Sequence, residues 1–261
     1  MSFLNKICSK NIENGESSNF FFHFTPEIKH LISIMNDNFK PFYCMEDLSY
    51  LNMPELRMEG MAYPVVCFCD IPLSRHKEHR RKYGEYGIGM KKEWGIAEEN
   101  HLTPIIYAHG KSITSASMKN MFSLSPTIKK KLSKEEFQKF NNSISSLVMH
   151  FKPYEGFRYC KKLKRFVKDL TRFYDEREWR FIPLDCDDLK LNLDKEEYEN
   201  DIILAEENEK IQKGNRINFT FDDVEYIFLK ERSETNDFLS KLSSKYSSKD
   251  LYVIAKKIKV D

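Results

Sequence analysis

The sequence lacks the patterns that mark membrane-spanning, secreted and metal-stapled proteins. No apolar run approaches the roughly 20 residues that a membrane-spanning helix needs. Residues 1–10 contain no long apolar core, so we expect no secretory signal peptide. The six cysteines include no Cys-x-x-Cys pair, which argues against a zinc site or a disulfide framework. We therefore expect a cytoplasmic protein that binds no metal.

Internal repeats, a Gly-x-Gly-x-x-Gly fingerprint and a clear linker are also missing. The chain of 261 residues is long enough to bury a sizeable core in one large domain. Its 13% aromatic residues fit a packed protein, and its 31% charged residues fit a polar surface. We predict a single domain over residues 1–261.

The first third of the chain carries two predicted buried strands. Aromatic and β-branched runs bounded by proline indicate strands at residues 20–26 and 64–72. Apolar residues at helical spacing follow the first strand, and residues 39–60 are predicted to be an irregular loop. His23 lies in the first strand, where a lone histidine is more often a packed residue than a functional one.

The middle of the chain is predicted to be helical. The helical pattern runs over residues 112–170, and Ser133 followed by Glu136 is a capping-box signature. The simplest account of the whole pattern is an α+β fold with a helical insertion at about 112–170. Beyond the insertion, the predicted elements are strands at 217–219, 224–229 and 251–255 and a helix at 233–245.

Basic residues are concentrated in two blocks, although the formal net charge is only +2. Two basic blocks beside one site would attract a polyanion. Each block alone is more often the solvated face of a helix. The blocks consist of Arg75, Lys77, Arg80, Arg81, Lys82, Lys91 and Lys92, and of Arg158, Lys161, Lys162, Lys164, Arg165, Lys168 and Arg172.

An aromatic-rich run that follows the second block carries charges where a buried strand normally carries none. In an extended chain Glu176, Glu178 and Arg180 share one face. Trp179 and Phe181 share the other face. Two carboxylates and an arginine on a rigid strand are suited to stabilising a developing positive charge. An edge strand with solvated charges is nevertheless the more common structure for this pattern.

Three stretches are informative together: Phe22-His23-Phe24-Thr25, residues 66–74 with 79–89, and Asp175-Glu176-Arg177-Glu178-Trp179-Arg180. They resemble the AbiGi-like abortive phage resistance family over most of residues 20–183. The order of elements is also similar to that of a divergent ADP-ribosyltransferase. Toxins of that fold carry a tyrosine in the middle strand, where this chain has Cys67-Phe68-Cys69. The resemblance implies an α+β fold with an ADP-ribosyltransferase-like split β-sheet core.

The resemblance also implies a site for NAD+ as a co-substrate, in a cleft between two small sheets. Glu178 is then the catalytic carboxylate that steadies an oxocarbenium-like state, and Glu176 orients the acceptor. A histidine bonds a ribose, an aromatic ring stacks on nicotinamide, and Arg180 either contacts the pyrophosphate or holds Glu178 ionised. Tyr86 is the favoured ring because Gly84 and Gly87 flank it. The implied cofactor-binding residues are His23, Thr25, Phe68, Tyr83, Tyr86 and Arg180.

The first functional hypothesis is an NAD-dependent ADP-ribosyltransferase toxin of a phage-defence system. Its expected acceptor is nucleic acid, RNA rather than DNA, because aromatic residues are interleaved with the second basic block. Such a toxin needs a cognate antitoxin protein to restrain it. The aromatic residues are Phe157, Tyr159, Phe166 and Phe173, and the expected nucleic-acid-binding residues are Arg75, Arg80, Arg81, Lys161, Lys162 and Arg165.

Two alternative functions remain open at the level of the sequence. One is a non-catalytic antitoxin or sensor that keeps the fold and binds a partner toxin, which agrees with the missing middle tyrosine. The other is an enzyme that hydrolyses NAD+ with water as the acceptor.

Overall fold

The computed structural model describes residues 18–52, 60–183 and 189–260. The described residues form two compact units. The described part of the first unit comprises residues 18–39, 67–102 and 217–260, and that of the second comprises residues 40–52, 60–66, 103–183 and 189–216. Among the described residues, no helix combines the length and the apolar character needed to cross a bilayer.

The first unit is built on a sheet whose strands follow the order β12-β11-β4-β1. Strand β1 pairs antiparallel with β4, and β4 pairs antiparallel with β11. Strand β12 adds in parallel to β11, and the end of β3 pairs with β1 at Cys69. The strands are β1 (Phe20–Thr25), β3 (Gly60–Cys69, of which residues 67–69 belong to this unit), β4 (Tyr86–Lys91), β11 (Val224–Leu229) and β12 (Ile258–Val260).

Aromatic side chains fill the core of the first unit. Phe22 and Phe228 are buried together with Cys69 and Ile71. Because β1 carries four phenylalanines in six residues, it buries rings on both faces of the sheet, as expected of a strand covered on both sides. The helices of this unit are α1 (Ile28–Asp37), α2 (His76–Tyr83), α3 (Lys92–Ile96), α8 (Thr235–Leu242) and α9 (Ser248–Lys257).

The second unit contains three small groups of strands. Strand β2 pairs antiparallel with the first part of β3, and β10 lies between β3 and β5. Strands β6 and β7 pair in parallel, and β8 and β9 form an antiparallel hairpin. The bounds are β2 (Phe42–Asp47), β5 (Thr103–Pro104), β6 (Ile106–Ala108), β7 (Phe151–Pro153), β8 (Gly156–Cys160), β9 (Arg165–Thr171) and β10 (Glu178–Phe181).

Four helices complete the second unit: α4 (Ile113–Lys129), α5 (Lys134–Met149), α6 (Lys195–Glu199) and α7 (Asp201–Gln212). The core beneath α6 and α7 contains Tyr43, Ala62 and Leu204, with Tyr159 and Phe166 of the hairpin packed against it. The hairpin is therefore held in place by aromatic side chains on one of its faces.

The α+β class and several elements predicted from the sequence are confirmed. The structure has the predicted strand and helix at Phe20–Thr25 and Ile28–Asp37, and a strand at Val224–Leu229. The capping box at Ser133 is also present, with Ser133 and Glu136 exchanging hydrogen bonds. Each of these signals is local, so the chain carries it without reference to the rest of the fold.

Four predicted elements are wrong. The strand predicted at 217–219 is reduced to one isolated bridge between Ile217 and Phe39. The insertion predicted at 112–170 is helical as far as Met149, and residues 151–171 form strands instead. The strand predicted at 251–255 lies inside helix α9, because its apolar residues also suit a helix with one buried residue, Ile254. The loop predicted at 39–60 contains strand β2. This strand is stabilised by hydrogen bonds to β3, and the sequence of residues 39–60 alone does not indicate that pairing.

Candidate functional site

The charged run that contains Glu178 is a turn followed by a short strand. Residues Phe173–Glu176 form a 3-10 turn, and Arg177 adopts a left-handed conformation with φ of 46°. Strand β10 begins at Glu178. The prediction that Glu176 lies on the strand, on the same face as Glu178, is therefore wrong. Glu176 lies in the turn and Glu178 on the strand, yet both carboxylates contact the same residue, Lys152.

Within β10 the side chains alternate as predicted, but the charged face is the buried one. Glu178 is 5% exposed and Arg180 is fully buried, whereas Trp179 and Phe181 are half-buried. The more common structure, an edge strand with solvated charges, is thus wrong for this chain. Strand β10 has strands on both sides, β3 and β5, so it is an internal strand.

Lys152 of strand β7 joins the two glutamates. Its Nζ atom lies 2.7 Å from Oε2 of Glu178 and 3.0 Å from Oε2 of Glu176. The ammonium group also lies 4.4 Å from the centroid of the Phe173 ring, a favourable cation–π distance. All three charged side chains are buried.

Arg180 joins a third glutamate to the group. Its Nε donates to Oε1 of Glu178, and its Nη2 donates to Oε1 of Glu46 on strand β2. Its Nη1 donates to the carbonyl of Met149 at 2.9 Å, where helix α5 ends. We call Glu46, Lys152, Glu176, Glu178 and Arg180 the ion cluster.

The ion cluster contains three carboxylates and two cations. When all five groups are ionised, it therefore has one more negative than positive charge. Burial raises the pKa of Glu46, and the neighbouring carboxylates of Glu178 and Glu176 raise it further, against the opposing effect of Arg180 and Lys152. Burial lowers the pKa of Lys152. The negative charges of Glu176, Glu178 and Glu46 have a larger effect and hold this pKa well above its ordinary value. The lysine is therefore locked in its charged form.

Tyr107 of strand β6 completes the surroundings of Glu178. Its hydroxyl oxygen accepts a hydrogen bond from the backbone N–H of Glu178 at 2.8 Å. Burial, followed by the charge of Glu178, raises the pKa of Tyr107, so its hydroxyl stays neutral. The carbonyl of Glu178 accepts from the N–H of Ile105 at 3.0 Å. Both the backbone and the carboxylate of Glu178 are fixed by neighbours.

This arrangement holds the catalytic candidate Glu178 in ion pairs at both of its carboxylate oxygens. Oε1 contacts Arg180 and Oε2 contacts Lys152. A carboxylate that stabilises an oxocarbenium-like sugar must face that sugar. In the described geometry, Glu178 faces two protein cations and is almost completely buried, which is the geometry of a structural ion pair.

Lys152 and Glu46 were not among the residues proposed from the sequence. Lys152 stands between Phe151 and Pro153 in a three-residue strand, and a lysine flanked by buried apolar residues is a weak sign of an internal ion pair. Glu46 lies in the segment predicted to be a loop, where no periodic pattern indicates that it is buried.

His23 and Thr25, proposed to bind the cofactor, lie on β1 in the first unit. The Nδ1 atom of His23 lies 2.8 Å from the carbonyl oxygen of Cys67, and burial lowers the pKa of the ring. The hydroxyl of Thr25 lies 3.0 Å from Nδ1 of His30. Both side chains therefore have protein partners. His23 belongs to the first unit and Glu178 to the second.

The proposed stacking rings lie in the first unit and contact its other side chains. Phe68 is 1% exposed and packs edge-on against Trp94. Tyr86, the favoured ring, is buried and donates its hydroxyl hydrogen to Oε1 of Glu234 at 2.6 Å. Tyr83 lies against the ring of His79 at 4.6 Å between centroids. In this structure Phe68 and Tyr86 are core residues.

The residues proposed to bind nucleic acid are divided between the two units. Arg80 is buried at 3% exposure, and its Nη2 donates to the carbonyl of Glu85 at 2.6 Å, so it does not present its guanidinium at the surface as a phosphate contact requires. The remaining five side chains are exposed. Arg75 and Arg81 lie in the first unit, and Lys161, Lys162 and Arg165 lie in the hairpin of the second.

The fold and the site define an α+β protein with a buried ion cluster in its second unit. The family model described as "Putative abortive phage resistance protein AbiGi, antitoxin" matches residues 37–230. Because this match spans most of the chain, the protein belongs to the AbiGi family. Residues 37–230 include every member of the ion cluster.

One curated relative extends the comparison beyond the family model. It is the "Abortive phage resistance protein AbiGi" of Lactococcus lactis subsp. cremoris, which is 28% identical over 229 residues, covering 81% of this chain and 90% of that protein. No solved structure matches the chain. The ADP-ribosyltransferase-like arrangement of the sheet thus stays a prediction.

Proposed function

We propose that this protein is the antitoxin of an abortive-infection pair and that it acts by binding its partner protein. Two names support this proposal: the family is described as an antitoxin, and the Lactococcus relative is named an abortive phage resistance protein. The structural observation that carries it is the pairing of both Glu178 carboxylate oxygens with buried cations. Glu178, the residue that the sequence favours for transferase chemistry, is thus buried and ion-paired inside the protein.

A structural role for the ion cluster agrees with the energetics of buried charges. Removing one member of a buried ion pair costs about 3–5 kcal/mol, because the other charge is left without compensation. The cluster joins strands β2, β7 and β10 and the end of helix α5 through buried ion pairs and hydrogen bonds. It thus specifies how these four elements pack, which is the kind of rigidity that a binding surface requires.

The test of the proposal is co-expression with a growth-arresting protein, for which the products of the adjacent genes are the candidates. We expect the present protein to be harmless when it is expressed alone and to restore growth when it is expressed together with that toxin. The two proteins should also co-purify. Growth arrest by the present protein alone, or rescue without any detectable complex, would contradict a binding antitoxin.

The NAD-dependent transferase expected from the resemblance stays a prediction with its own test. Wild-type protein is incubated with labelled NAD+ and with RNA, DNA or lysate protein. Label on any acceptor, or depletion of NAD+ without a labelled product, would indicate transferase or hydrolase activity. A wild-type protein that rescues growth and leaves NAD+ intact would agree with the antitoxin. We use wild-type protein because we expect a substitution at Glu178 to lower the free energy of unfolding as well.

A further inference from the structure

We propose that the β8–β9 hairpin, residues 156–171, is the docking surface for an acidic segment of the partner protein. This inference rests on the proposed function and names the surface that the antitoxin uses. The hairpin is part of the second unit and contains no member of the ion cluster. Charge, exposed apolar side chains and an open strand edge each point to the same use.

The charge of the hairpin is strongly one-sided. From Gly156 to Arg172 the chain contains seven basic residues and one acidic residue, Asp169. Arg158 lies 3.7 Å from Asp169, and Lys164 donates to the carbonyl of Glu199 at 2.7 Å. The other five basic side chains are exposed and lie in no ion pair with the described residues. These five are Lys161, Lys162, Arg165, Lys168 and Arg172.

Such a concentration of like charges is unfavourable in the free protein, because these five basic side chains repel one another and form no ion pair with the described residues. An acidic partner removes the repulsion and gains from electrostatic steering during association. The first requirement on the partner segment is therefore several carboxylates.

Exposed apolar side chains accompany the basic ones. Phe157 and Leu170 are cross-strand partners in the hairpin and are 39% and 58% exposed. Leu163, in the turn Lys161–Leu163 between the strands, is 52% exposed. Apolar side chains within a basic surface are typical of protein interfaces, which combine an apolar centre with a charged rim.

The aromatic residues of the hairpin disfavour a single-stranded nucleic acid as the partner. Base stacking requires rings at the surface. Tyr159 and Phe166 instead pack against the core of the second unit, with Tyr159 contacting Tyr198 edge-on. Phe173 is buried against Lys152. Of the four aromatics that suggested nucleic acid, Phe157 is the exposed one.

The hairpin also offers an open edge to an extended segment. Within the part of the chain that the structure describes, β8 and β9 pair with each other and with no third strand. On the β8 side, the N–H of Phe157 is already bound by the carboxylate of Asp47 at 3.0 Å. Strand β9 thus provides the better edge for a partner strand, as in recognition by strand addition.

The position of this surface is fixed by contacts on its inner side. The hydroxyl of Tyr159 donates to Oε1 of Glu199 at 2.7 Å, and both Tyr159 and Phe166 pack against the core. A surface that is held in place before binding loses little conformational entropy when the partner arrives.

The experiment compares two charge-reversal variants of the full chain. The hairpin variant carries Lys161→Glu, Lys162→Glu and Arg165→Glu. The control carries Lys129→Glu, Lys130→Glu and Lys131→Glu, three exposed lysines of the same unit at the end of helix α4. Affinity for the purified toxin of the co-expression test is measured by calorimetry at low and at moderate salt.

We expect the hairpin variant to bind at least about tenfold more weakly than wild type and with a smaller salt dependence, because it reverses charges that steer and hold the acidic segment. The control should stay within about twofold of wild type. Leu170→Ser should weaken binding without changing the salt dependence, since it removes apolar contact and no charge.

The outcomes separate this inference from the proposed function. If wild type binds the toxin and the hairpin variant binds equally well, the docking surface is wrong while the antitoxin proposal stands. If wild type does not bind the toxin, both fail. A single-stranded RNA oligonucleotide that binds wild type but not the hairpin variant, together with unchanged toxin binding, would assign the hairpin to nucleic acid instead.

Discussion

At the scale of single residues, the protein depends on how a few buried charges are matched. Lys152 faces two carboxylates and an aromatic ring, and Arg180 faces two other carboxylate oxygens and a helix carbonyl. Each cation is in contact with more than one acceptor. The loss of one cation therefore leaves several acceptors buried and uncompensated.

The first prediction concerns Lys152. We expect Lys152→Met to lower the free energy of unfolding by about 3–5 kcal/mol, because Glu176 and Glu178 lose their shared cation in a buried site. Urea unfolding followed by circular dichroism measures the change. Adding Glu178→Gln to Lys152→Met should recover part of the loss, since one uncompensated charge disappears. A double variant that is as unstable as the sum of the singles would contradict this coupling.

The second prediction concerns Glu46 and pH. Its pKa is raised in the folded protein, chiefly by burial, above the value of about 4.3 expected for an unfolded chain. Between these two pKa values the folded protein binds more protons than the unfolded chain, so Glu46 lowers the free energy of unfolding as pH rises. Glutamine at this position does not titrate.

The corresponding measurement is urea unfolding of wild type and Glu46→Gln at several pH values between about 5 and 8. The stability of wild type minus that of Glu46→Gln should decrease as pH rises through the folded pKa of Glu46. A difference that stays constant over this pH range would mean that Arg180 and Lys152 hold the pKa of Glu46 at or below its unfolded value, against the effect of burial.

At the scale of elements, the start of helix α5 is encoded locally, whereas strands β2, β7, β8 and β9 are not. Ser133 accepts from the N–H of Glu136, and the carboxylate of Glu136 accepts from the N–H of Ser133. Both partners lie within four residues, so the capping box was visible in the sequence. Strand β2 depends on hydrogen bonds to β3. Residues 151–171 were predicted to be helical, and their strands likewise depend on pairing.

The third prediction tests the capping box. Ser133→Ala should lower the free energy of unfolding by about 1 kcal/mol, because the first turn of helix α5 loses the side-chain acceptor for its N–H group. The control is Ser123→Ala in helix α4, where the hydroxyl is exposed and donates to a carbonyl of its own helix. The control should be neutral or slightly stabilising, since alanine favours the helix interior. Equal losses in both variants would show that the cap contributes nothing specific.

At the scale of the whole molecule, membership of the AbiGi family and the buried site support the same functional account. A transferase needs its carboxylate in contact with the substrate, whereas an antitoxin needs a stable scaffold and a surface that fits its partner. The ion cluster supplies internal rigidity, and the hairpin supplies a charged surface. The co-expression, NAD+ and charge-reversal experiments examine these parts separately.

Sequence alone determined the class and the local elements of this protein. Three local signals were sufficient: the spacing of apolar residues, the positions of prolines and the capping residues. They predicted the α+β class, strands β1 and β11, helix α1 and the cap at Ser133. The alternation of Glu178, Trp179 and Arg180 was also predictable, because side chains alternate in any strand.

Tertiary structure decided which face of that strand is buried. Glu178 and Arg180 point inward because Lys152 and Glu46, 26 and 134 positions away from their respective partners, supply the opposite charges. Nothing in the run around Glu178 indicates those distant residues, so the solvated edge was the natural expectation. Alternation of side chains gives every strand two faces. Which of them can bury charged side chains depends on whether the neighbouring elements supply opposite charges in place of water.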